Sequence, residues 1–235
     1  MGKGVAKAVV RAGWRALIAS RSADRLAAAA AEIARDASAP AGAVETAVLD
    51  ACDDAALAAF FAARGAGAFA HLVVTVGPSA GAGAFLSEGN MKKARQQYEG
   101  KLFAQMAVAH YGAASVADGG SITFVSGALA KRPGKGSAVL ASANAAVDAL
   151  GRALANDLGP RLRVNTISPA LVDTEIWDGM PAETKAKMLA GAGAAYPVGR
   201  AGVPEDIGGA ALFLMKSPFV TGTVLDVDGG AAVRP

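Results

Sequence analysis

Short apolar segments alternate with amphipathic, helix-forming segments along most of the chain, and this order restricts the possible folds more than any other feature. The apolar segments span four to six residues, a length typical of buried strands. Apolar strands separated by helices indicate a parallel sheet covered on both faces. Predicted strands occupy residues 16–20, 44–49, 72–76, 122–126, 162–167 and 224–227, and predicted helices 23–37, 53–63, 88–116, 138–158 and 204–215. The sequence therefore predicts an α/β fold with a doubly wound parallel sheet.

Composition narrows the class of protein. With 235 residues, 53% hydrophobic and 18% charged, the chain is predicted to form one globular domain over residues 1–235. A net charge of +3 without a basic run argues against nucleic-acid binding. No apolar run is long enough to span a bilayer, so no membrane association is expected. The single cysteine, Cys52, favours a reducing cytoplasm, and the widely separated His71 and His110 predict no metal site.

Four segments in the second half of the chain carry a specific resemblance. Ser-Ile-Thr-Phe-Val-Ser-Gly at 121–127 is followed by Pro-Ala-Leu-Val-Asp-Thr at 169–174, Gly-Arg-Ala-Gly-Val-Pro-Glu-Asp-Ile at 199–207 and Thr-Gly-Thr-Val-Leu-Asp-Val-Asp-Gly-Gly at 221–230. In this order and spacing they resemble a divergent member of the short-chain dehydrogenase/reductase family. The resemblance runs from Gly2 to Gly230. It implies a Rossmann-like fold, a nicotinamide cofactor and hydride transfer between a carbonyl compound and its alcohol.

The resemblance also implies a cofactor site at the carboxyl ends of the strands. It assigns to this site Gly2, Ser20, Arg21, Asp50, Ala51, Gly77, Pro169, Val172 and Thr174. An acidic residue at the position of Arg21 would bind the 2′-hydroxyl of NAD, whereas Ser20 and Arg21 suit a 2′-phosphate. NADP is therefore expected in preference to NAD. Two simpler interpretations stay open: Arg21 as a solvated loop residue and Asp50 as a helix cap.

The chain begins where the family has the end of a glycine-rich turn, and Gly2 matches the last glycine of that turn. The first strand of the family and most of the turn would then precede Met1, so we expect an upstream coding segment that supplies them. In the family that strand lies in the centre of the sheet. Without it, the strands on either side would be left with unpaired backbone groups.

The acid/base pair of the family, Tyr-x-x-x-Lys, is absent. Leu140 stands at the tyrosine position and Asn144 at the lysine position, and the expected serine falls on Gly127. Carbonyl reduction needs a proton donor, which leucine cannot be. The remaining catalytic candidates are Ser126, one residue from the expected place, and Lys101, where the family has an asparagine. Ser126 could equally be a strand-terminal serine bonded to backbone, and Lys101 a solvated helix residue.

These departures leave several functions open. The leading hypothesis is an NADP(H)-dependent oxidoreductase with an atypical active site, and the alternatives are a catalytically inactive nucleotide-binding pseudoenzyme or a lyase or isomerase in the same pocket. The family commonly forms dimers or tetramers, and the predicted helices 88–116 and 138–158 would supply a homo-oligomer interface. The apolar segment 174–203 predicts a lid over an apolar small-molecule substrate.

Overall fold

The computed structural model describes residues 1–77 and 83–233, and its helices and strands alternate along the chain. The strands are β1 (Ala16–Ser20), β2 (Val44–Val48), β3 (Phe69–Val74), β4 (Val116–Val125), β5 (Arg163–Pro169) and β6 (Val224–Val227). The α-helices are α1 (Gly2–Arg11), α2 (Ala23–Asp36), α3 (Asp54–Arg64), α4 (Asn90–Tyr98), α5 (Ala104–Gly112), α6 (Ala138–Leu158), α7 (Ala182–Ala195) and α8 (Pro204–Lys216). The predicted α/β class is confirmed.

All strand pairs are parallel, but within the described residues the strands form two sheets rather than one. Strand β1 pairs with β2 in one sheet, and the other sheet has the order β3-β4-β5-β6. Strands β1 and β3 therefore each have one edge without a neighbouring strand. The two open edges are those that the sequence predicted, because in the family the first strand lies between them.

Several predicted boundaries also change. The predicted helix over 88–116 is two α-helices joined by a π-helical segment, Glu99–Phe103, and followed by a 3₁₀ turn, Ala113–Ser115. Strand β4 begins six residues earlier than predicted, and segment 174–203 contains the unpredicted helix α7. Most of the predicted loop over 77–83 lies outside the described residues.

Helices cover the strands on two faces. On one face, α1, α2 and α8 bury Val5, Ile33 and Leu214 against Val125 and Ile167 of the larger sheet. On the other face, α3, α5 and α6 pack on β3, β4 and β5, and this core contains Leu57, Phe61, Val108, Ile122, Phe124, Val147 and Val164. Within residues 1–77 and 83–233, no helix combines the length and apolar character needed to cross a bilayer.

Helices α1 and α8 cross at a contact that only glycine permits. A Cβ atom on Gly4 would lie 2.0 Å from the carbonyl oxygen of Pro204, and one on Gly208 would lie 2.3 Å from the carbonyl oxygen of Gly4. Both distances are far below van der Waals contact, so the two backbones approach directly. Helix α1 packs on β1 and α2, whereas α8 packs on β4, β5 and β6. The crossing therefore joins the two sheets.

Replacing Gly208 by alanine tests this contact. The added methyl group would overlap the α1 backbone, which cannot move as a flexible side chain could, so we expect Gly208→Ala to lower the free energy of unfolding by about 2 kcal/mol or more. Gly209 is the matched control, because it lies in the same helix with no atom near its Cβ position. Gly209→Ala should raise stability by about 0.5–1 kcal/mol, since alanine favours the helix. Urea unfolding followed by far-UV circular dichroism measures both changes, and equal effects would contradict the proposed contact.

Candidate active site

The site lies at the carboxyl ends of the strands, where parallel strands deliver their following residues to one edge. Ser20 ends β1, Gly77 follows β3, Ser126 follows β4 and Pro169 ends β5. Helix α1 begins at the same edge, because a Cβ atom on its first residue, Gly2, would lie 3.0 Å from Oγ1 of Thr75. Residues separated by most of the chain are thus brought to one edge of the strands.

Lys101 is the most unusual charged residue of this edge. Its side chain is only 8% exposed, and its Nζ donates hydrogen bonds to the carbonyl oxygens of Val125, at 3.3 Å, and Ser126, at 3.1 Å. A Cβ atom on Gly77 would lie 3.7 Å from the same Nζ. Burial disfavours the charged form, so the pKa of Lys101 is lowered to about 8, with Asp148 opposing the shift. The structure thus brings together Lys101, Gly77 and Ser126.

The π-helical segment explains why Lys101 points inward. One extra residue per turn changes the register between α4 and α5, and such segments are frequent at functional sites. Four residues later, the fully buried Gln105 takes the same direction. Its Nε2 donates to the carbonyl oxygen of Val125 at 3.0 Å, and its Oε1 accepts from the Val125 N–H at 3.2 Å. Sequence reasoning missed Gln105, although its spacing of four from Lys101 is visible.

Ser126 is buried beneath α6, and its two polar groups face different neighbours. Its carbonyl oxygen accepts from Lys101, whereas its hydroxyl donates to the carbonyl oxygen of Ile167 at 3.4 Å. At 3.4 Å this hydroxyl bond is long, and it matches a strand-terminal serine bonded to backbone. Asp148 is the second residue that sequence reasoning missed. The sequence signal for Asp148 was its spacing of four residues from Asn144, which puts both side chains on one face of α6.

Two departures from the family pattern are physically coupled. A Cβ atom on Gly127 would lie 2.7 Å from Nδ2 of Asn144, so the asparagine side chain occupies the space of any larger residue there. Asn144 is buried, and Leu140, one turn earlier, is partly buried. Because a larger side chain at position 127 would not fit beside Asn144, the missing serine and the asparagine occur together. Neither Gly127 nor Asn144 can act as an acid.

The residues assigned to the adenosine end lie after β1 and β2. Arg21 is exposed and makes no hydrogen bond or ion pair with the residues that the structure describes. Asp50 accepts a hydrogen bond from the backbone N–H of Cys52 at 3.0 Å, an Asx-type turn, and Ala51 packs against the core. Arg21 and Asp50 both act electrostatically on the Cys52 thiol, which places them in one neighbourhood.

The segment that follows β5 is held in place by contacts at Val172 and at Glu175. The carbonyl oxygen of Val172 accepts from Nε1 of Trp177 at 2.9 Å, and Thr174 begins the 3₁₀ turn Glu175–Trp177. Glu175 forms an ion pair with Lys3 in the first turn of α1. The ion pair ties the segment from Pro169 to Thr174 to the helix start that carries Gly2.

These features fit an anionic dinucleotide. No side chain caps the N-terminus of α1, so the backbone N–H groups of its first turn are available to an anion such as a phosphate. Arg21 adds a positive charge at the far end, and Gly77 leaves room for close approach. In the described part of the chain, no group of three or more His, Cys, Asp or Glu side chains could hold a metal ion.

Comparison with known proteins places this chain in a family. The family model described as "Enoyl-(Acyl carrier protein) reductase" matches residues 1–232. A short-chain dehydrogenase/reductase, ATR9, from Stachybotrys chlorohalonatus is 46% identical over 114 residues, which cover 48% of this chain and 44% of that protein. The 3-oxoacyl-[acyl-carrier-protein] reductase FabG of Chlamydia muridarum is 38% identical over 116 residues, covering 48% and 45%. The chain thus spans about half the length of the curated relatives it matches.

Structural similarity extends over more of the chain. A crystal structure of a small-chain dehydrogenase in complex with NADPH is 31% identical, with a TM-score of 0.79, and the alignment covers 94% of this chain and 99% of that one. The chain belongs to the short-chain dehydrogenase/reductase family.

Proposed function

We propose that this protein is an NADP(H)-dependent oxidoreductase that interconverts a carbonyl compound and its alcohol, with Lys101 as the proton donor for reduction. The observation that carries the proposal is the buried Lys101 ammonium beside Gly77, held by two backbone carbonyls. A group with a pKa of about 8 can both hold and release a proton near neutral pH. Perturbed lysines of this kind cluster at functional sites.

The proposed reaction divides between cofactor and protein. NADPH, when bound, supplies the hydride that reaches the carbonyl carbon. Lys101 would give one proton from Nζ to the carbonyl oxygen, so the products are the alcohol, NADP⁺ and a neutral lysine amine. The carbonyl groups of Val125 and Ser126 orient the ammonium before transfer, and burial keeps competing water away. In the reverse direction the neutral amine accepts the alcohol proton.

Arg21 supports NADP rather than NAD. Its exposed guanidinium at the end of β1, next to Ser20, suits a 2′-phosphate, for which arginine offers paired donors. The similar small-chain dehydrogenase is in complex with NADPH, which favours the same choice. The other assigned cofactor residues, Gly2 and Thr174 among them, stay predictions.

Exposed apolar side chains guide the proposals on substrate and assembly. Ile176 and Met180 are 42% and 37% exposed in the segment after Thr174, so we propose an apolar small-molecule substrate.

Members of the family bind small molecules and are commonly oligomeric. Phe103 and Met106, 50% and 40% exposed on the α5 side, favour a homo-dimer or homo-tetramer through α4, α5 and α6. A cytoplasmic location and a single domain over residues 1–235 remain expectations.

A second candidate function follows from Leu140 and Asn144. Because neither side chain can donate a proton to a carbonyl as the family's tyrosine does, a nucleotide-binding pseudoenzyme would show the same residues. Cofactor binding without turnover across a panel of aldehydes and ketones would favour that alternative.

Lys101→Met tests the proton donor. We expect kcat/KM for NADPH-dependent carbonyl reduction to fall by about 10²- to 10⁴-fold, because methionine preserves the length of the side chain but cannot donate a proton. In the unmodified protein the rate should be level below pH 8 and fall about tenfold per pH unit above it, as the ammonium deprotonates. Steady-state rates across pH 6–10 measure both effects.

Two variants make this test specific. Lys93→Met replaces an exposed lysine of the neighbouring helix α4 and should leave the rate unchanged. Lys101→Arg keeps a charge that does not titrate in this range, so any residual activity should lose the decline above pH 8. An unaltered pH profile in Lys101→Arg would exclude Lys101 as the donor.

Arg21→Ala tests the cofactor preference. Loss of a charged hydrogen bond to the 2′-phosphate should raise the Kd for NADPH by about 10- to 100-fold and leave the Kd for NADH unchanged. Arg35→Ala, an exposed arginine at the other end of α2, is the control. Fluorescence titration measures the constants, and an equal change for both cofactors would contradict a 2′-phosphate contact.

A further inference from the structure

Tyr196 lies beside the segment that the resemblance assigns to the cofactor, and the proposed reaction does not use it. Its hydroxyl oxygen accepts a hydrogen bond from the backbone N–H of Leu171 at 3.2 Å. Leu171 stands between Pro169 and Val172, two of the assigned cofactor residues. A side chain 25 residues further along the chain thus bonds the backbone of this segment.

The backbone of Tyr196 is held on both sides. Tyr196 directly follows α7, and its N–H donates to the carbonyl oxygen of Ala192 at 2.9 Å. Its carbonyl oxygen accepts from the N–H of Gly199 at 2.8 Å, which closes a four-residue turn. Pro197 in the second position and glycine in the fourth are typical of such a turn. The tyrosine is therefore fixed where the helix ends.

Two glycines near the end of the chain leave space for the tyrosine and the proline after it. A Cβ atom on Gly229 would lie 3.4 Å from Cδ2 of Tyr196, and one on Gly230 would lie 2.6 Å from Cγ of Pro197. Both glycines have a positive φ, 62° and 83°, which other residues rarely adopt. The N–H of Val198 also donates to the carbonyl oxygen of Gly229 at 3.2 Å. The tyrosine ring thus packs against Gly229 while its hydroxyl reaches the segment after β5.

The other backbone groups of that segment have different partners. The carbonyl oxygen of Leu171 accepts from the N–H of Gly202 at 2.9 Å, and the N–H of Asp173 donates to the carbonyl oxygen of Gly202 at 2.8 Å. These two bonds form a parallel bridge between Val172 and Gly202, so the polar groups of Val172 itself face the opposite side. There its carbonyl oxygen accepts from Nε1 of Trp177. The N–H of Val172 is then the donor that this segment can offer to the carboxamide of a nicotinamide.

We propose that Tyr196 is a positioning residue for the nicotinamide end of the cofactor, acting through the N–H of Leu171. The N–H groups of Leu171 and Val172 flank one Cα atom, so a shift of the first displaces the second. A nicotinamide bonded to the displaced donor would lose its alignment with the substrate carbonyl. The role in cofactor binding rests on the proposed function, whereas the hydrogen bond to Leu171 does not.

Two ligands show at which end of the cofactor Tyr196 acts. NADPH carries the nicotinamide, whereas adenosine 2′,5′-bisphosphate carries only the adenosine end with its 2′-phosphate. Tyr196→Phe keeps the ring and removes the oxygen that accepts the Leu171 N–H. We expect it to raise the Kd for NADPH by about 3- to 10-fold and to leave the Kd for the bisphosphate within about twofold. Isothermal titration calorimetry measures both constants, and Tyr111→Phe, which removes a hydroxyl from α5, should change neither.

The outcomes separate this proposal from the proposed function. An equal rise of both constants would indicate a general distortion and overturn the positioning role. An unchanged Kd for NADPH in a folded Tyr196→Phe protein would overturn it as well, with NADP(H) binding intact. An unmodified protein that binds neither ligand would reject the proposed function and the positioning role with it.

The hydrogen bond itself can be measured without cofactor. In protein labelled with ¹⁵N-leucine, the amide signal of Leu171, assigned by its loss in Leu171→Met, reports hydrogen exchange. We expect Tyr196→Phe to accelerate this exchange by about 3- to 10-fold, because the amide loses its acceptor. The amide of Leu162, bonded to the carbonyl oxygen of Leu158, is the internal control and should exchange as before. Equal exchange of Leu171 in the two proteins would overturn the connection through Leu171.

Discussion

The close crossing of α1 and α8 is the contact on which the rest of the structure depends. Among the described residues, the two parallel sheets share no backbone pairing, so their relative position is set by the helices that pack on both. Gly4 and Gly208 let the backbones of these helices touch, and no larger residue fits at either position. Because α1 also begins at the carboxyl edge of the strands, the same contact places the helix N-terminus beside Thr75 and the site.

At the active-site edge of the strands, buried backbone carbonyl groups accept hydrogen bonds from buried side chains. The carbonyl oxygen of Val125 accepts hydrogen bonds from both Gln105 and Lys101, and that of Ser126 accepts one from Lys101. A polar network in a low-dielectric setting is stable only when its members are paired. The two carbonyl groups therefore explain how an ammonium can be held at the end of β4, and burial explains why its pKa is lowered to about 8.

Much of the fold was predictable from local sequence, and the exceptions have physical causes. The bounds of β1, α6 and β6 were predicted as observed, because apolar runs and helix-forming residues agree there. The early part of β4 was missed because Asp118-Gly119-Gly120 is typical of a turn. In the structure, Gly120 instead allows close approach to β3, since a Cβ atom would lie 2.3 Å from the carbonyl oxygen of Ala70.

The site was less predictable than the fold. The resemblance pointed to Lys101 and Ser126, but the direction of Lys101 depends on a π-helical segment that residue periodicity does not reveal. Gln105 and Asp148 were missed because polar helix residues are usually solvated, and only the packing of α5 and α6 on the strands buries them. The coupling of Gly127 with Asn144 likewise depends on a distance between two elements.

A crystal structure with NADP and a carbonyl substrate or its alcohol product would test the central claim most directly. We expect Nζ of Lys101 within about 3 Å of the substrate oxygen, in reach of a hydrogen bond. An Nζ still enclosed by the carbonyl groups of Val125 and Ser126, with another side chain or a water molecule bonded to the substrate oxygen, would contradict it.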